Sequence, residues 1–288
     1  FQKGILYCNF APSKKQFMRY TTLLHLLLVF GFSNAQDTIQ KYDRLGIRFG
    51  GQQTYLTDVQ FSPLIYRANE VAAGLFYDSR NNKSNWSAEF SFATGQLYPP
   101  AYKDRQLYNT TEDIYGVTNT DSFLVKGNTL SAVFQIGYSY EVVLKTKWEL
   151  EGGIAISEQL MYPSSFVNIG IMNTASIVAT AKFRYYQSNK QEWTVGLFFP
   201  VAGLNTRFPY SGTVSQPEMK LLAAFFDATK FTTLNHYQQI NLKLGYRHQL
   251  SEKWGIRTEY EFIWLNDNQP LSLKQYSNHL TAALDYSF

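Results

Sequence analysis

Apolar and polar residues alternate in ten separate segments of this chain, and the alternation limits the possible folds more than any other feature. A period of two places successive side chains on opposite faces of a β-strand, one face apolar and the other polar. In the last segment small or polar residues separate the apolar ones, which include Leu280, Leu284, Tyr286 and Phe288. The alternating segments cover residues 45–49, 70–78, 86–92, 130–141, 148–157, 174–185, 192–199, 239–247, 254–264 and 280–288. The pattern predicts an all-β fold of about ten strands.

Two features favour a membrane barrel over a soluble β-sandwich, in which strands also alternate. Aromatic residues make up 17% of the chain and crowd the apolar face, which is too rich in them to face water. Short polar turns also alternate with longer connections, an arrangement typical of outer-membrane barrels. We expect turns at 80–85, 144–147, 187–191 and 251–253, and long connections at 50–68, 97–127, 159–173, 203–235 and 266–275.

The predicted architecture is therefore a transmembrane antiparallel up-and-down β-barrel with short periplasmic turns and long extracellular loops. Closure of the ring removes every open strand edge from lipid. No run of 18 apolar residues occurs, so a helical membrane span is not expected. Eight or twelve strands remain open alternatives, because the first segment is short and the loops have room for a further hairpin.

Tryptophans recur at one position of the pattern. Four of the five come just after a short turn, and a turn lysine precedes each of them. An indole ring favours the boundary of a membrane, because the ring is apolar and its N–H needs a polar partner. The alternative is four unrelated core tryptophans. The pattern predicts an aromatic girdle of Trp86, Trp148, Trp193 and Trp254 at one boundary, with Trp264 at the opposite one.

The N-terminal stretch indicates export. Met18 and Arg19 precede a short apolar run that ends in Ser33-Asn34-Ala35, which predicts a signal peptide cut after Ala35. An N-terminal membrane anchor is the alternative. Residues 1–17 lie before an internal methionine, and we expect them to be absent from the natural product. The expected organisation is 1–35 upstream residues plus signal peptide, 36–43 a short lead, and 44–288 the barrel.

Removal of residues 1–35 changes the charge and the cysteine count. Four of the 26 basic residues leave and no acidic one does. The mature chain then has 22 basic and 22 acidic residues, so its net charge is zero. A neutral chain gives no reason to expect a nucleic-acid partner. Cys8 leaves as well, which excludes disulfides and thiolate metal sites from the mature chain. We expect no cofactor and no metal.

The polar faces of the strands should point into the lumen. Side chains largely fill the interior of so narrow a barrel, and a wide porin channel needs sixteen or more strands. Buried opposite charges on neighbouring strands should therefore meet as ion pairs, although a narrow polar pore is the alternative. The predicted lumen charges are Arg48, Glu89, Glu149, Glu151, Lys182, Arg184, Lys243, Arg247, Arg257, Glu259 and Glu261.

One histidine invites comparison with enzymes. His279 has inward parity near the loop end, with Glu261 close on the preceding strand. A carboxylate can orient a histidine as a general base. We find no serine partner and no motif of the omptin, phospholipase A or lipid A deacylase families. A structural pair is the favoured interpretation, and we expect a protein that is not an enzyme; a barrel hydrolase acting on lipid or peptide is the alternative.

Two long loops offer the best surface for a partner. Loop 97–127 is rich in tyrosine. In loop 203–235, Ser215 to Glu218 form a candidate capping box, and the apolar residues that follow recur at helical spacing. These residues are Leu221, Leu222, Phe225 and Phe226. Such a helix folds over the barrel mouth and buries its own apolar face, or serves as a lid or docking site.

The terminal strand resembles the closing strand of bacterial outer-membrane β-barrels, whose C-terminal aromatic residue helps the insertion machinery to recognise them. The residues that carry this resemblance are Leu280, Leu284, Tyr286 and Phe288. Residues 33–36 are also similar to signal peptides of Bacteroidota. The resemblance implies the outer membrane of a Gram-negative bacterium, with membrane lipid and the insertion machinery as partners, and it reaches no specific family. It leaves three roles open: a structural, partner-binding or narrow-pore protein, the hydrolase, or an accessory subunit of a larger outer-membrane complex.

Overall fold

Ten antiparallel strands close into a barrel in the computed structural model of this chain. The elements in chain order are β1 (Tyr42–Asp58), β2 (Ser62–Asn81), β3 (Ser84–Tyr98), β4 (Gln106–Glu112), β5 (Thr118–Leu124), β6 (Gly127–Leu144), β7 (Trp148–Ser164), β8 (Ile171–Ser188), β9 (Gln191–Phe208), α1 (Leu221–Asp227), β10 (Thr229–Thr233), β11 (Tyr237–Gln249), β12 (Trp254–Asp267) and β13 (Leu273–Ser287), with a 3-10 turn at Pro100–Tyr102. The ring runs β1-β2-β3-β6-β7-β8-β9-β11-β12-β13, and β13 pairs with β1 to close it. The predicted ten-stranded up-and-down barrel is confirmed.

The structure describes residues 41–59, 62–81, 83–102, 105–112, 115–124, 126–145, 147–164, 171–208 and 221–288. The predicted signal peptide of residues 1–35, its cleavage after Ala35, most of the 36–43 lead and the capping box at 215–218 lie outside the described residues. Within the described part of the chain, no helix combines the length and the apolar character needed to cross a membrane.

The strands extend further on the loop side than their alternation indicates. The prediction of a long connection at 50–68 is wrong, because β1 continues to Asp58 and only residues 59–61 join it to β2. Residues 165–170 and 268–272 likewise replace the longer connections expected at 159–173 and 266–275. Consecutive polar residues such as Gln52 and Gln53 end the alternation, yet both remain in register with β2. Pairing continues there because backbone hydrogen bonds do not require an apolar face.

The four short turns lie at the end of the barrel opposite the long loops, which we call the turn side, and each turn makes the same kind of hydrogen bond. In each turn the backbone carbonyl of a lysine accepts a hydrogen bond from an N–H group of an adjacent strand. The pairs are Glu141 N to Lys83 O at 2.8 Å, Tyr186 N to Lys147 O at 2.7 Å, Gln249 N to Lys190 O at 2.8 Å and Ser287 N to Lys253 O at 2.7 Å. These bonds tie each hairpin to its neighbour, so the strands that follow start from equivalent positions. A tryptophan lies one to three residues after each of these lysines.

The outward faces of the strands are apolar and uncovered. Side chains there expose more than a third of their surface, and examples are Leu45, Ile47, Phe49, Val71, Leu75, Phe90, Ile136, Ile154, Ile156, Leu197, Leu244, Ile256, Leu280 and Leu284. Soluble monomers rarely expose contiguous apolar patches above a few hundred Å². The apolar surface of this barrel therefore lies outside, and the polar surface lies inside.

Candidate functional site in the barrel lumen

Charged side chains meet in pairs inside the barrel, starting at the turn side. We call this group the turn-side cluster: Arg44, Arg80, Glu141, Glu149, Glu151, Arg184 and Glu192. Arg80 Nη1 lies 2.6 Å from Glu149 and its Nη2 lies 3.0 Å from Glu141. Arg184 Nη1 lies 2.8 Å from Glu149 and 2.7 Å from Glu151. All seven side chains are nearly fully buried.

Some pairs of the turn-side cluster cross the lumen between strands that are not neighbours. Arg80 on β2 reaches Glu149 on β7, and Arg44 on β1 lies 3.1 Å from Glu192 on β9. The sequence prediction missed Arg44 and Arg80, which lie outside the alternating segments. Glu141 and Glu192 do have inward parity in their segments, so the alternation contained the signal for them.

A second group, the central belt, crosses the middle of the lumen and consists of Arg48, Glu89, Lys243 and Glu259. Arg48 hydrogen-bonds to Glu89, whose two oxygens each lie 3.1 Å from Lys243 Nζ. Glu259 lies 3.7 Å from Arg48 and 4.0 Å from Lys243. The belt therefore joins β1, β3, β11 and β12 across the interior.

His279 and Glu261 lie inside the lumen beside the central belt and below the rim. His279 Nδ1 is 3.7 Å from Glu261 Oε2, which is too long for a hydrogen bond. Its Nε2 is buried without a partner among the described residues. The pair lies below the rim because β12 and β13 extend to Asp267 and Leu273, beyond the alternating segments. This geometry does not orient the imidazole as a general base.

An apolar cluster covers the lumen on the loop side. We call it the apolar cap: Leu56, Tyr66, Ala68, Leu97, Tyr237, Leu265 and Leu273, with Leu64, Met161 and Met172 packed against it. Its members come from β1, β2, β3, β7, β8, β11, β12 and β13. The cap is the most extensive apolar cluster described, and a smaller one of Ala155, Val178 and Phe198 lies further down the barrel.

Above the cap, Arg207 holds the mouth together. Its guanidinium binds Asp58 at the end of β1, lies 3.4 Å from Asp267 on β12 and donates to the backbone carbonyl of Gln269 at 2.9 Å. Asp267 also accepts a hydrogen bond from Asn205 at 2.7 Å. We call Asp58, Arg207 and Asp267 the mouth latch. The sequence prediction placed all three in loops and missed them.

Two cavities remain between these layers. The upper cavity, of about 110 Å³, lies between the central belt and the apolar cap. The lower cavity, of about 90 Å³, lies between the belt and the turn-side cluster. Arg48, Glu89, Lys243 and Glu259 line both of them, so the central belt forms their common wall. Every predicted lumen charge takes part in the ion pairs or lines a cavity, and the described side chains fill much of the lumen.

The tryptophans of the short turns face outward and pack on aromatic residues of neighbouring strands. The ring centroids are 5.0 Å apart for Trp86–Tyr138, 5.9 Å for Trp148–Phe183, 4.7 Å for Trp193–Tyr246 and 5.1 Å for Trp254–Tyr286. Trp264 lies opposite Tyr276 on the loop side. In the last strand Leu280, Leu284, Tyr286 and Phe288 all point outward, and the rings of Tyr286 and Phe288 stack at 6.4 Å.

The two candidate loops contain secondary structure. In loop 97–127, β4 and β5 form a hairpin that belongs to no larger sheet, and Tyr108 is 67% exposed on it. In loop 203–235, the predicted helix is present as α1. Its Phe226 is 69% exposed, so the expectation that the helix buries its own apolar face is wrong for this residue. Phe225, one position before it, is the more buried of the two rings.

Among the described residues, no group of three or more histidine, cysteine, aspartate or glutamate side chains is arranged to hold a metal ion. The lumen carboxylates bind arginine and lysine instead. What the site offers chemically is a set of fixed charges around two small cavities.

Comparison with known proteins gives weak structural similarities. No protein-family model and no curated protein matches the sequence. The chain is similar to an outer membrane channel from Pseudomonas putida F1, with a TM-score of 0.41, 11% identity and coverage of 90% of this chain and 98% of that one. It is also similar to the translocator domain of autotransporter NalP from Neisseria meningitidis. The TM-score is 0.39, the identity is 10%, and the match covers 95% of each chain. A third similar structure is the P. putida toluene transporter TodX, with a TM-score of 0.34, 9% identity and coverage of 88% of this chain and 90% of that one. Similarity this weak carries no inference about function.

Proposed function

We propose that this chain is an outer-membrane barrel whose lumen is closed at rest and whose outer end binds another protein. The observation that carries the proposal is the filling of the lumen at three levels. The turn-side cluster, the central belt and the apolar cap each place side chains across the interior, and cavities of about 110 and 90 Å³ lie between them among the described residues. A water-filled channel needs a continuous path, and in this proposal the three layers interrupt it.

The outer surface supports a position in a membrane. The exposed apolar band would be unstable in water but stable against lipid tails. On β12 the outward residues from Trp254 to Trp264 span ten positions, the length of tilted strand that crosses a hydrocarbon core. The turn-side tryptophans would then lie at one membrane boundary. In this proposal the short turns face the periplasm of a Gram-negative bacterium, and the loops face the exterior.

The C-terminal strand supports a second partner, the barrel-insertion machinery. Phe288 is 69% exposed, and Leu280, Leu284 and Tyr286 share its face, so all four are accessible for recognition before insertion. The origin of the chain in Bacteroidota stays a prediction from residues 33–36.

The hairpin of β4 and β5 supports the partner-binding role. Among the described residues neither of its outer edges pairs with another strand, and the described side chains of both strands are exposed. A two-stranded hairpin has little stability of its own in water, so docking on a partner would stabilise it. In this proposal the partner is a second outer-membrane protein, which makes the barrel an accessory subunit. Nothing comparable favours the hydrolase, given the long His279–Glu261 distance.

A liposome-swelling assay tests the closed lumen. Proteoliposomes with the folded barrel should swell no faster in small sugars or amino acids than empty liposomes do, and a general porin serves as the positive control. Swelling at a rate close to that of the porin would contradict the proposal.

A photo-crosslinking residue at Tyr108 tests the outer partner in the native membrane, with one at Lys253 in a periplasmic turn as the matched control. One defined outer-membrane protein should crosslink at Tyr108 and not at Lys253; equal products at both positions would contradict the partner role.

A further inference from the structure

Cations outnumber carboxylates around the lower cavity. Its lining holds seven cationic side chains: Arg44, Arg48, Lys182, Arg184, Lys243, Arg247 and Arg257. It holds four carboxylates: Asp78, Glu89, Glu192 and Glu259. Glutamates and aspartates outside the lining bind the far sides of some of these cations, as Asp285 does for Arg247 at 2.6 Å. Some of the negative groups therefore lie behind the wall, and within the lining the cations outnumber the carboxylates by seven to four.

The lining carboxylates are already bound by arginine or lysine. Asp78 accepts from Arg257 at 3.1 Å. Glu192 lies 3.1 Å from Arg44, and both oxygens of Glu89 lie 3.1 Å from Lys243. These carboxylates are held in the wall and offer little to a further cation.

Lys182 is the exception among the cations. It lies on β8, half-buried and facing the lower cavity, and among the described residues it has no ion pair within 4.0 Å and no hydrogen bond. Its register neighbour Glu151 is bound to Arg184, and Asp78, a carboxylate of the same lining, is bound to Arg257. An ammonium group away from bulk water without a partner is costly. The cavity in front of it is the place where a compensating negative charge would fit.

Donors from other residues face the same space. Arg247 uses Nε and Nη2 for Asp285, and its Nη1 makes no hydrogen bond to the described residues. Among the described residues, Arg257 donates a side-chain hydrogen bond only to Asp78, through Nη2. The lower cavity therefore presents one unpaired ammonium and at least two guanidinium edges.

We propose that the lower cavity binds a small inorganic oxyanion, of the class of phosphate and sulfate, with Lys182 as its main cation. A water needs about 10–15 Å³ of such space, so about 90 Å³ has room for roughly six waters. A tetrahedral oxyanion has five non-hydrogen atoms and fits this volume. Its oxygens take charge-assisted hydrogen bonds from Lys182, Arg247 and Arg257. The bound anion neutralises the ammonium from inside the barrel, an effect independent of the outer partner.

The test is the thermal unfolding of the folded barrel in detergent, followed by its heat-modifiable gel migration. Sodium phosphate, sodium sulfate and sodium chloride are compared at equal ionic strength and pH. Phosphate or sulfate at 100 times its dissociation constant should lower the unfolding equilibrium constant of the wild type about 100-fold. An equal midpoint in all three salts would overturn the proposal and leave water as the occupant.

Variants at Lys182 should respond to phosphate differently from the wild type. In chloride, Lys182→Met should unfold at a higher temperature than the wild type, because an unpaired buried charge is gone. In phosphate it should show no further gain, whereas Lys182→Arg should keep the response. Lys190→Met, in an exposed turn, is the control and should respond as the wild type does. An undiminished phosphate response in Lys182→Met, or a loss of stability of Lys182→Met in chloride, would overturn the proposal. Equilibrium dialysis of radiolabelled phosphate against the folded variants provides a second measurement of the same binding.

Discussion

Replacing Arg184 with methionine should destabilise the barrel more than any surface change. The Arg184 side chain is only 5% exposed and lies close to three carboxylates. Two of them keep another partner in the variant, since Glu149 retains Arg80 at 2.6 Å and Glu192 retains Arg44 at 3.1 Å. The third carboxylate, Glu151, loses its closest cation.

The size of the effect follows from the position of Glu151. Its side chain is 2% exposed, and after the change it keeps the Ser139 hydroxyl at 2.8 Å and Arg80 at 3.9 Å. Removing one partner of a buried ion pair costs about 3–5 kcal/mol. Because the hydroxyl and the second guanidinium remain, we expect the lower end, about 3 kcal/mol. The double variant Arg184→Met with Glu151→Gln should recover roughly half of that loss, because the unpaired charge is then removed.

Urea unfolding in lipid vesicles, followed by tryptophan fluorescence, measures these free energies. Lys190→Met is the matched control, since it removes a cation from an exposed turn and should change the free energy of unfolding by less than about 0.5 kcal/mol. If Arg184→Met unfolds within about 1 kcal/mol of the wild type, or if the double variant is less stable than the single one, the ion-pair account of the lumen is wrong.

Two other predictions concern the wall of the barrel. Gly50→Ala should destabilise the barrel by about 1–3 kcal/mol, because an added Cβ would lie 2.0 Å from the backbone oxygen of Leu280. Gly51→Ala should be tolerated, because the atom nearest to its added Cβ is 3.8 Å away. Urea unfolding of both variants measures the two losses of stability, and equal losses would contradict the prediction. Single-tryptophan proteins that keep Trp86 or Trp264 should be quenched more strongly by lipids brominated near the headgroup than by lipids brominated near the chain end, and the reverse order would place these rings in the bilayer centre.

The alternation of residues was sufficient to predict the strands where their outward face is apolar. Between Leu45 and Phe49 of β1 every second side chain faces outward and is apolar. The alternation therefore predicted correctly which face of this segment points inward. Beyond Gly50 the outward face is no longer apolar and Leu56 faces inward into the apolar cap, so the pattern is lost while the strand continues to Asp58. The mouth latch lies in that region, which is why Arg207 and its partners were assigned to loops.

The pairing of the charges could not be predicted from the sequence. Parity identifies Glu149 and Lys243 as inward residues but gives no information about contacts across the lumen. Such contacts depend on strand tilt and stagger, which bring β2 opposite β7 and β3 opposite β11. The lack of an ion pair at Lys182 likewise appears only in three dimensions, because its register neighbour Glu151 is bound to Arg184.

Single-channel conductance in planar bilayers tests the closed lumen most directly. The folded barrel, its closure verified by heat-modifiable migration, should give no discrete current steps in 1 M salt at moderate voltage. Arg48→Ala with Lys243→Ala serves as the comparison, because it removes both cations of the central belt between the cavities. A silent wild type is the predicted result. Regular, salt-dependent steps from the wild type would show an open path through the turn-side cluster, the central belt and the apolar cap, and would contradict the account.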